Sequence, residues 1–251
     1  MKIIPLSEGS FTIDQSKEFV PFNHSNDDLQ QRSRGSLLVE IQPFLVLTSS
    51  DVLLLDTGLG FSDELGILQL HKNMALHGIY PLDVTKVLMT HLHKDHAGGL
   101  VRLDTLKNEY QLSFPQADYY ISQKEIDIAT NSYSPSYNSE KLSCLLHHEQ
   151  VHLLQEEDGV IDGYIYFEKT AGHSPFHQSF KIVEGGEIIF FGGDEAPQLQ
   201  QMKTKFVAKY DADGKRAMEL RVKWWEIGNK ENWNFLFYHD IETPTYCKKG
   251  I

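Results

Sequence analysis

Between Thr90 and Leu100 the chain places three imidazoles and a carboxylate within six consecutive positions, His91-Leu92-His93-Lys94-Asp95-His96. No packing requirement asks for such a cluster. Directly before it runs Val84-Thr85-Lys86-Val87-Leu88-Met89, an apolar segment after Pro81 that reads as a buried strand. A strand ending in His-x-His sends His91 and His93 to one side, because side chains alternate with period two. Asp95 and His96 follow as the chain turns, and residues 97–107 read as a helix. Four donors from one strand-to-helix corner can converge on a cation with little help from elsewhere. Imidazole nitrogen and carboxylate oxygen are the ligands that zinc and similar divalent ions prefer.

Blocks of the same kind lie on either side. Upstream, Val52-Leu53-Leu54-Leu55 ends in Asp56-Thr57-Gly58. Downstream come Thr170-Ala171-Gly172-His173-Ser174-Pro175-Phe176-His177, then Ile188-Ile189-Phe190-Phe191-Gly192-Gly193-Asp194, then Phe235-Leu236-Phe237-Tyr238-His239. In this order the blocks resemble the signature of the metallo-β-lactamase-fold hydrolase superfamily. In layout they are closest to its single-domain lactonase and organophosphate hydrolase-like members. The resemblance runs from residue 52 to residue 239, nearly the whole chain.

That resemblance implies a dinuclear centre. One ion would take His91, His93 and His173, the other Asp95, His96 and His239, with Asp194 bridging them. Zinc is the expected metal, and manganese or iron also suits such donors. The two cations outweigh the aspartates and a bridging hydroxide in charge, which favours an anionic transition state. A shared water whose pKa is lowered toward ~7 supplies the nucleophile. Asp95 and Asp194 are the expected catalytic carboxylates, Asp95 passing a proton to the leaving group. Asp56 is expected to orient ligand imidazoles from behind, with a plain turn-forming role as the alternative, and His177 to lie beside the site without ligating. Histidines also cap helices and fill cores, so His24, His71, His77, His147, His148 and His152 are expected to bind no metal.

The chain has 251 residues, enough for one large core, and the expectation is one metallo-β-lactamase-like domain over 1–251. No apolar run approaches the ~20 residues that cross a bilayer. The first residues lack the apolar stretch of a secretion signal, so a cytoplasmic protein is expected. Cys144 and Cys247, without metal or redox spacing, read as free thiols. A net charge of −12 argues against nucleic acid as a partner. A local exception, Lys203, Lys205, Lys209, Lys215, Arg216, Arg221 and Lys223, reads as the solvated face of a helix and its lead-in. A rim for an anionic substrate is the sharper alternative.

Strand patterns occupy 11–14, 37–41, 44–47, 52–55, 119–121, 164–167, 179–183 and 187–191, with Gly185-Gly186 as a hairpin signal. Helical patterns occupy 63–77, 123–129, 139–148 and 215–227. The polar stretch 131–138, with Tyr133 and Tyr137, reads as an ordinary connector, and as a substrate lid in the alternative. Two β-rich halves with helices outside imply the α+β class and a four-layer αββα sandwich with two mixed sheets, as the resemblance does too.

The leading substrate expectation is a lactone or other carboxylic ester of a small molecule, with phosphoester or thioester hydrolysis as the alternative. A mononuclear iron dioxygenase acting on sulfur substrates and a non-catalytic binding protein rank lower. Lactonases of this family usually place Tyr three positions after the bridging Asp, where this chain has Pro197. Tyr133, Tyr210 and Tyr238 are the phenols that remain to take that part.

Overall fold

The computed structural model describes residues 1–104 and 107–248. Two six-stranded sheets form its centre. The first runs, in spatial order, Lys2–Pro5, Phe44–Leu47, Val52–Leu55, Lys86–Leu88, Asp118–Ser122 and Val151–Leu154. The second runs Asp158–Ile161, Ile165–Lys169, Gln178–Glu184, Glu187–Phe191, Asn234–Leu236 and Thr245–Cys247. Both mix parallel and antiparallel pairs.

Alternation along the strands divides their side chains between cores. Leu53, Leu55 and Leu88 pack with Phe180, Ile182, Ile189, Phe191 and Leu236, filling the space between the sheets. Their neighbours Leu54 and Val87 point the other way, onto Leu70 and Met74 of the helix Gln69–Ala75 and Ile126 of the helix Gln123–Asn131. In the second sheet Phe190 faces outward, 4.7 Å from the Trp224 ring of the helix Gly214–Glu231. The result is helix, sheet, sheet, helix: an αββα sandwich of the α+β class. Gly185 and Gly186 close the hairpin between Gln178–Glu184 and Glu187–Phe191 with positive φ at both, the turn that matches strand twist.

Val52–Leu55 and Lys86–Leu88 run parallel in the first sheet. Ile165–Lys169, Glu187–Phe191 and Asn234–Leu236 share one direction in the second. The carboxyl ends of these strands lead into the segments that carry Asp56, His91, His173, Asp194 and His239. The topology thus gathers sequence-distant donors at one rim.

Several local expectations give way. The helix after the histidine cluster covers only Lys94–Ala97; Gly98-Gly99 stop it, and the chain enters the hairpin Val101–Asp104 with Glu109–Leu112. Residues 105 and 106 of the expected helix lie outside the described residues. The helix expected over 63–77 shrinks to Gln69–Ala75, because the Asp63 carboxylate takes the Leu65 and Ile67 N–H groups, each at 2.9 Å. The stretch 139–148 holds one helical turn, Ser139–Leu142, followed by a 3-10 turn, Ser143–Leu145. Arg221, expected on a solvated face, is buried: its guanidinium donates to the Glu195 and Phe206 carbonyls at 2.8 and 2.6 Å.

Away from the rim, Lys86 ties the sheets together. Its ammonium lies 2.7 Å from Asp51 and 2.9 Å from Asp162, and the Tyr164 hydroxyl also donates to Asp51. Burial pushes the Asp51 carboxyl up, but Lys86, Tyr164 and Thr85 outweigh it and hold it below the usual carboxylate value. A depressed folded pKa contributes stability above the unfolded value of ~3.9. That contribution is lost as pH falls through the folded pKa. Lys86→Ala, which leaves two carboxylates facing each other, is expected to cost about 2–4 kcal/mol at neutral pH. Part of that difference should vanish below about pH 4, as protonation of Asp51 removes it in the parent too. Denaturant titrations at two pH values check both statements.

Candidate metal centre

Asp56 ends its strand with φ +54, a left-handed conformation that turns its carboxylate back under the neighbouring strand. There it accepts the Thr90 N–H at 2.8 Å and the Thr90 hydroxyl at 2.7 Å, and sits 2.7 Å from His96 Nδ1. The neighbouring strand ends at Leu88, so His91 lies on a loop and His93 occupies the position just before the helical turn Lys94–Ala97. The two histidines meet through that loop rather than through strand alternation. Gly98 and Gly99 let the 57–60 segment press on the turn. A Cβ at Gly98 would lie 2.1 Å from the Leu59 carbonyl oxygen, and one at Gly99 2.2 Å from that of Thr57.

Among the described residues three donor groups result: His91, His93 and His173; His91, His96 and Asp194; and Asp95, His96 and His239. In the first, His93 Nδ1 stands 2.9 Å from His91 Nε2 and 3.2 Å from His173 Nε2. Asp194 lies between the groups. Its Oδ1 is 3.1 Å from His96 Nε2 and 3.0 Å from His239 Nε2, while its Oδ2 is 3.3 Å from His173 Nε2. Asp95 Oδ2 is 3.8 Å from His96 Nε2 and 3.6 Å from His239 Nε2. All seven residues expected as ligands are therefore brought together. His177 stands apart from the donor groups: its Nε2 accepts the Asp194 N–H at 3.2 Å and its Nδ1 meets Thr170 Oγ1 at 2.8 Å. None of the other six histidines joins a donor group among the described residues.

Hydrogen bonding fixes which nitrogens are free. His96 Nδ1 is engaged by Asp56, His173 Nδ1 by Asp211 at 3.0 Å, and His239 Nδ1 by the Glu40 carbonyl at 2.7 Å. Each Nδ1 therefore carries the proton, and each Nε2 aims a lone pair inward. Burial holds His91, His93 and His177 well below the ordinary histidine range, as neutral rings. Burial opposes the Asp194 charge, but His239, His96 and His173 prevail and keep the carboxyl well below its usual value. Burial would likewise lower His96, His173 and His239; the Asp194 carboxylate overrides it and raises them. A field that draws protons to these nitrogens also draws cations, since both compete for one lone pair.

The donor set fits metal on independent grounds. Tetrahedral zinc, with bonds of about 2.0–2.1 Å, separates its ligands by roughly 3.3–3.4 Å, close to the spacings above. His96 Nε2 and Asp194 Oδ1 are both buried, stand 3.1 Å apart and have no hydrogen-bond partner among the described residues, an arrangement that a shared cation would stabilise.

Around this set stand the tyrosines named from the sequence and two carboxylates, Glu125 and Glu195, that sequence reasoning did not single out. Tyr238 stacks on His96 with ring centroids 4.0 Å apart and donates its hydroxyl to the Asp95 carbonyl at 2.6 Å. Glu125 accepts from the Leu92 N–H, the Tyr137 hydroxyl and the Ser174 hydroxyl, at 3.1 to 3.3 Å. It thereby ties both histidine loops to the stretch 131–138. That stretch is more than a connector: Tyr137 packs 5.0 Å from the His93 ring, and the Ser136 carbonyl accepts the Lys94 N–H at 2.8 Å. Tyr133 is fully exposed, whereas Tyr210 lies edge-on to His173 with centroids 6.0 Å apart. Glu195 supports the His173 loop, accepting the His173 N–H at 3.0 Å. Its place directly after Asp194 was the one available signal.

A family profile described as the metallo-beta-lactamase superfamily matches residues 40–224. The chain belongs to that superfamily. Among curated members, it is 27% identical to an N-acyl homoserine lactonase of Bacillus cereus over 173 residues, 68% of this chain and 62% of that enzyme. An N-acyl homoserine lactonase of Bacillus thuringiensis is 26% identical over 174 residues, with the same coverage. Solved metallo-beta-lactamase-fold structures share the architecture. A probable metal-dependent hydrolase from Staphylococcus aureus superposes with TM-score 0.76 at 22% identity, over 100% of this chain and 94% of that one. The dizinc quorum-quenching lactonase AidC superposes with TM-score 0.72 at 20% identity, over 97% and 88%. At these identities the superpositions carry the fold.

Proposed function

We propose that this superfamily member is a dinuclear metal-dependent hydrolase of a lactone or other carboxylic ester of a small molecule. The observation that carries the reading is Asp194: one oxygen faces His96 and His239, the other His173, so a single carboxylate joins two donor groups. His91, His93 and His173 would hold one ion and Asp95, His96 and His239 the other, zinc being the metal proposed. Bound there, the pair would supply a water of lowered pKa and polarise the ester carbonyl.

The chain's own residues would do the rest. Asp95, whose Oδ2 lies 3.6 Å from His239 Nε2, would carry a proton to the leaving alkoxide. Buried Asp56 and Asp211 would fix imidazole tautomers. Tyr210, the phenol beside His173 that remains part-exposed, stands where it can reach substrate, its hydroxyl 3.2 Å from Gln201 Nε2. The lactonase names of the curated relatives support an ester substrate.

The test is hydrolysis by zinc-loaded protein of parallel series of acyl lactones, simple esters, thioesters and phosphodiesters. The lactones or esters are expected to turn over fastest, by at least about tenfold in kcat/KM. Preference for phosphodiesters would replace this reading with the phosphoester one.

A further inference from the structure

The connector 204–213, between the helices Leu199–Lys203 and Gly214–Glu231, is mostly exposed, yet it hides one carboxylate. Lys209, Tyr210, Ala212 and Asp213 face solvent, while the Asp211 side chain is 0% exposed. An ionised carboxylate is expensive to bury without a partner. Asp211 Oδ1 lies 3.0 Å from His173 Nδ1, and its Oδ2 has no hydrogen-bond partner among the described residues. The carboxylate is not there to start the helix that follows. Asp213 does that, accepting the Arg216 N–H at 3.0 Å.

The same connector grips the backbone under His173. The Ala212 N–H donates to the His173 carbonyl at 3.0 Å, and the Asp213 N–H to the Gly172 carbonyl at 2.7 Å. Arg216 donates to the Thr170 carbonyl from the first turn of the helix. On the other side Glu195 takes the His173 N–H. The loop is therefore held by several backbone contacts, but the ring of His173 is oriented by Asp211. Behind the connector, the buried Arg221 guanidinium makes its hydrogen bonds to the backbone carbonyls of Glu195 and Phe206.

We propose that Asp211 is the positioning residue of the His91–His93–His173 metal site, holding His173 in the ligating tautomer and orientation so that the affinity of this one site depends on it. The proposal rests on the dinuclear reading above. It gives each metal site its own buried aspartate, Asp211 behind His173 and Asp56 behind His96, delivered by unrelated segments.

The test is stepwise binding of Zn2+, and of Co2+ as a spectroscopic probe, to the metal-stripped full chain in competition with a chelator. The wild type is expected to take up two ions. Asp211→Ala is expected to weaken one site by about 10–100-fold and to alter the absorption of Co2+ bound there, with the other site shifting by less than about threefold. Asp211→Asn, whose amide oxygen still accepts from Nδ1–H, should weaken the same site less. It carries the test should the alanine variant fold poorly. Unchanged affinity at both sites overturns the proposal, and so does equal weakening of both. A wild type that takes up fewer than two ions removes the dinuclear reading itself, a distinct result.

Discussion

Asp194→Ala is expected to lower kcat/KM for the best ester or lactone substrate by more than about a thousandfold, the scale of a lost electrostatic and positioning element together. The physical reason is local. Asp194 supplies the carboxylate nearest to His96 Nε2, His239 Nε2 and His173 Nε2, all within 3.3 Å. Its removal leaves two groups of ligand nitrogens facing each other without the charge that reconciles two cations at close range. Asp194→Asn keeps the volume and one acceptor but not the charge, so it should be nearly as inactive. Steady-state kinetics with metal analysis of the same samples check this. Activity within tenfold of wild type in either variant refutes the bridging role.

The second large effect is expected at Asp56. It is fully buried and takes two hydrogen bonds from Thr90, one from its N–H and one from its hydroxyl, and a third contact from His96 Nδ1. Burial pushes the Asp56 carboxyl above its usual value, against the pull of His96 and Thr90. Its worth therefore lies in satisfied donors rather than in charge alone. Asp56→Ala takes the acceptor from the Thr90 and His96 donors in a dry interior and removes the wall behind His96, costing about 2–4 kcal/mol in the metal-free protein. Metal affinity should fall by about 10–100-fold, at the site that His96 serves. Urea titration of stripped protein measures the first and chelator competition the second. A plain turn-forming role for Asp56 would leave metal affinity unchanged.

Most of the candidate donor set was legible because the blocks that resemble the superfamily signature stand in order along the chain, each after a strand pattern. Phe44–Leu47, Val52–Leu55 and Glu187–Phe191 lie where their patterns put them. What failed was shorter-ranged. Whether the chain after His96 continues as helix turns on Gly98-Gly99 needing contact with the Leu59 and Thr57 carbonyls, which no local pattern reveals. Val151–Leu154 and Asp158–Ile161 are brief and flanked by acidic residues, so their strand character comes from pairing with Asp118–Ser122 and Ile165–Lys169. Asp211 and Glu125 were hidden for a related reason. Each sits in a polar segment where such residues are usually solvated, and only the tertiary fold brings Asp211 to the His173 ring and Glu125 to the Leu92 N–H and the Ser174 hydroxyl. Arg221 was misread likewise, because helical periodicity places it near exposed lysines while the 204–213 connector covers it.

The metal content of the reconstituted chain tests the central claim most directly. Protein stripped with chelator, exposed to excess zinc and desalted should retain two zinc ions per chain, and Asp194→Ala should retain fewer. One ion in the wild type, or a single iron accompanied by oxygen uptake, would contradict the account.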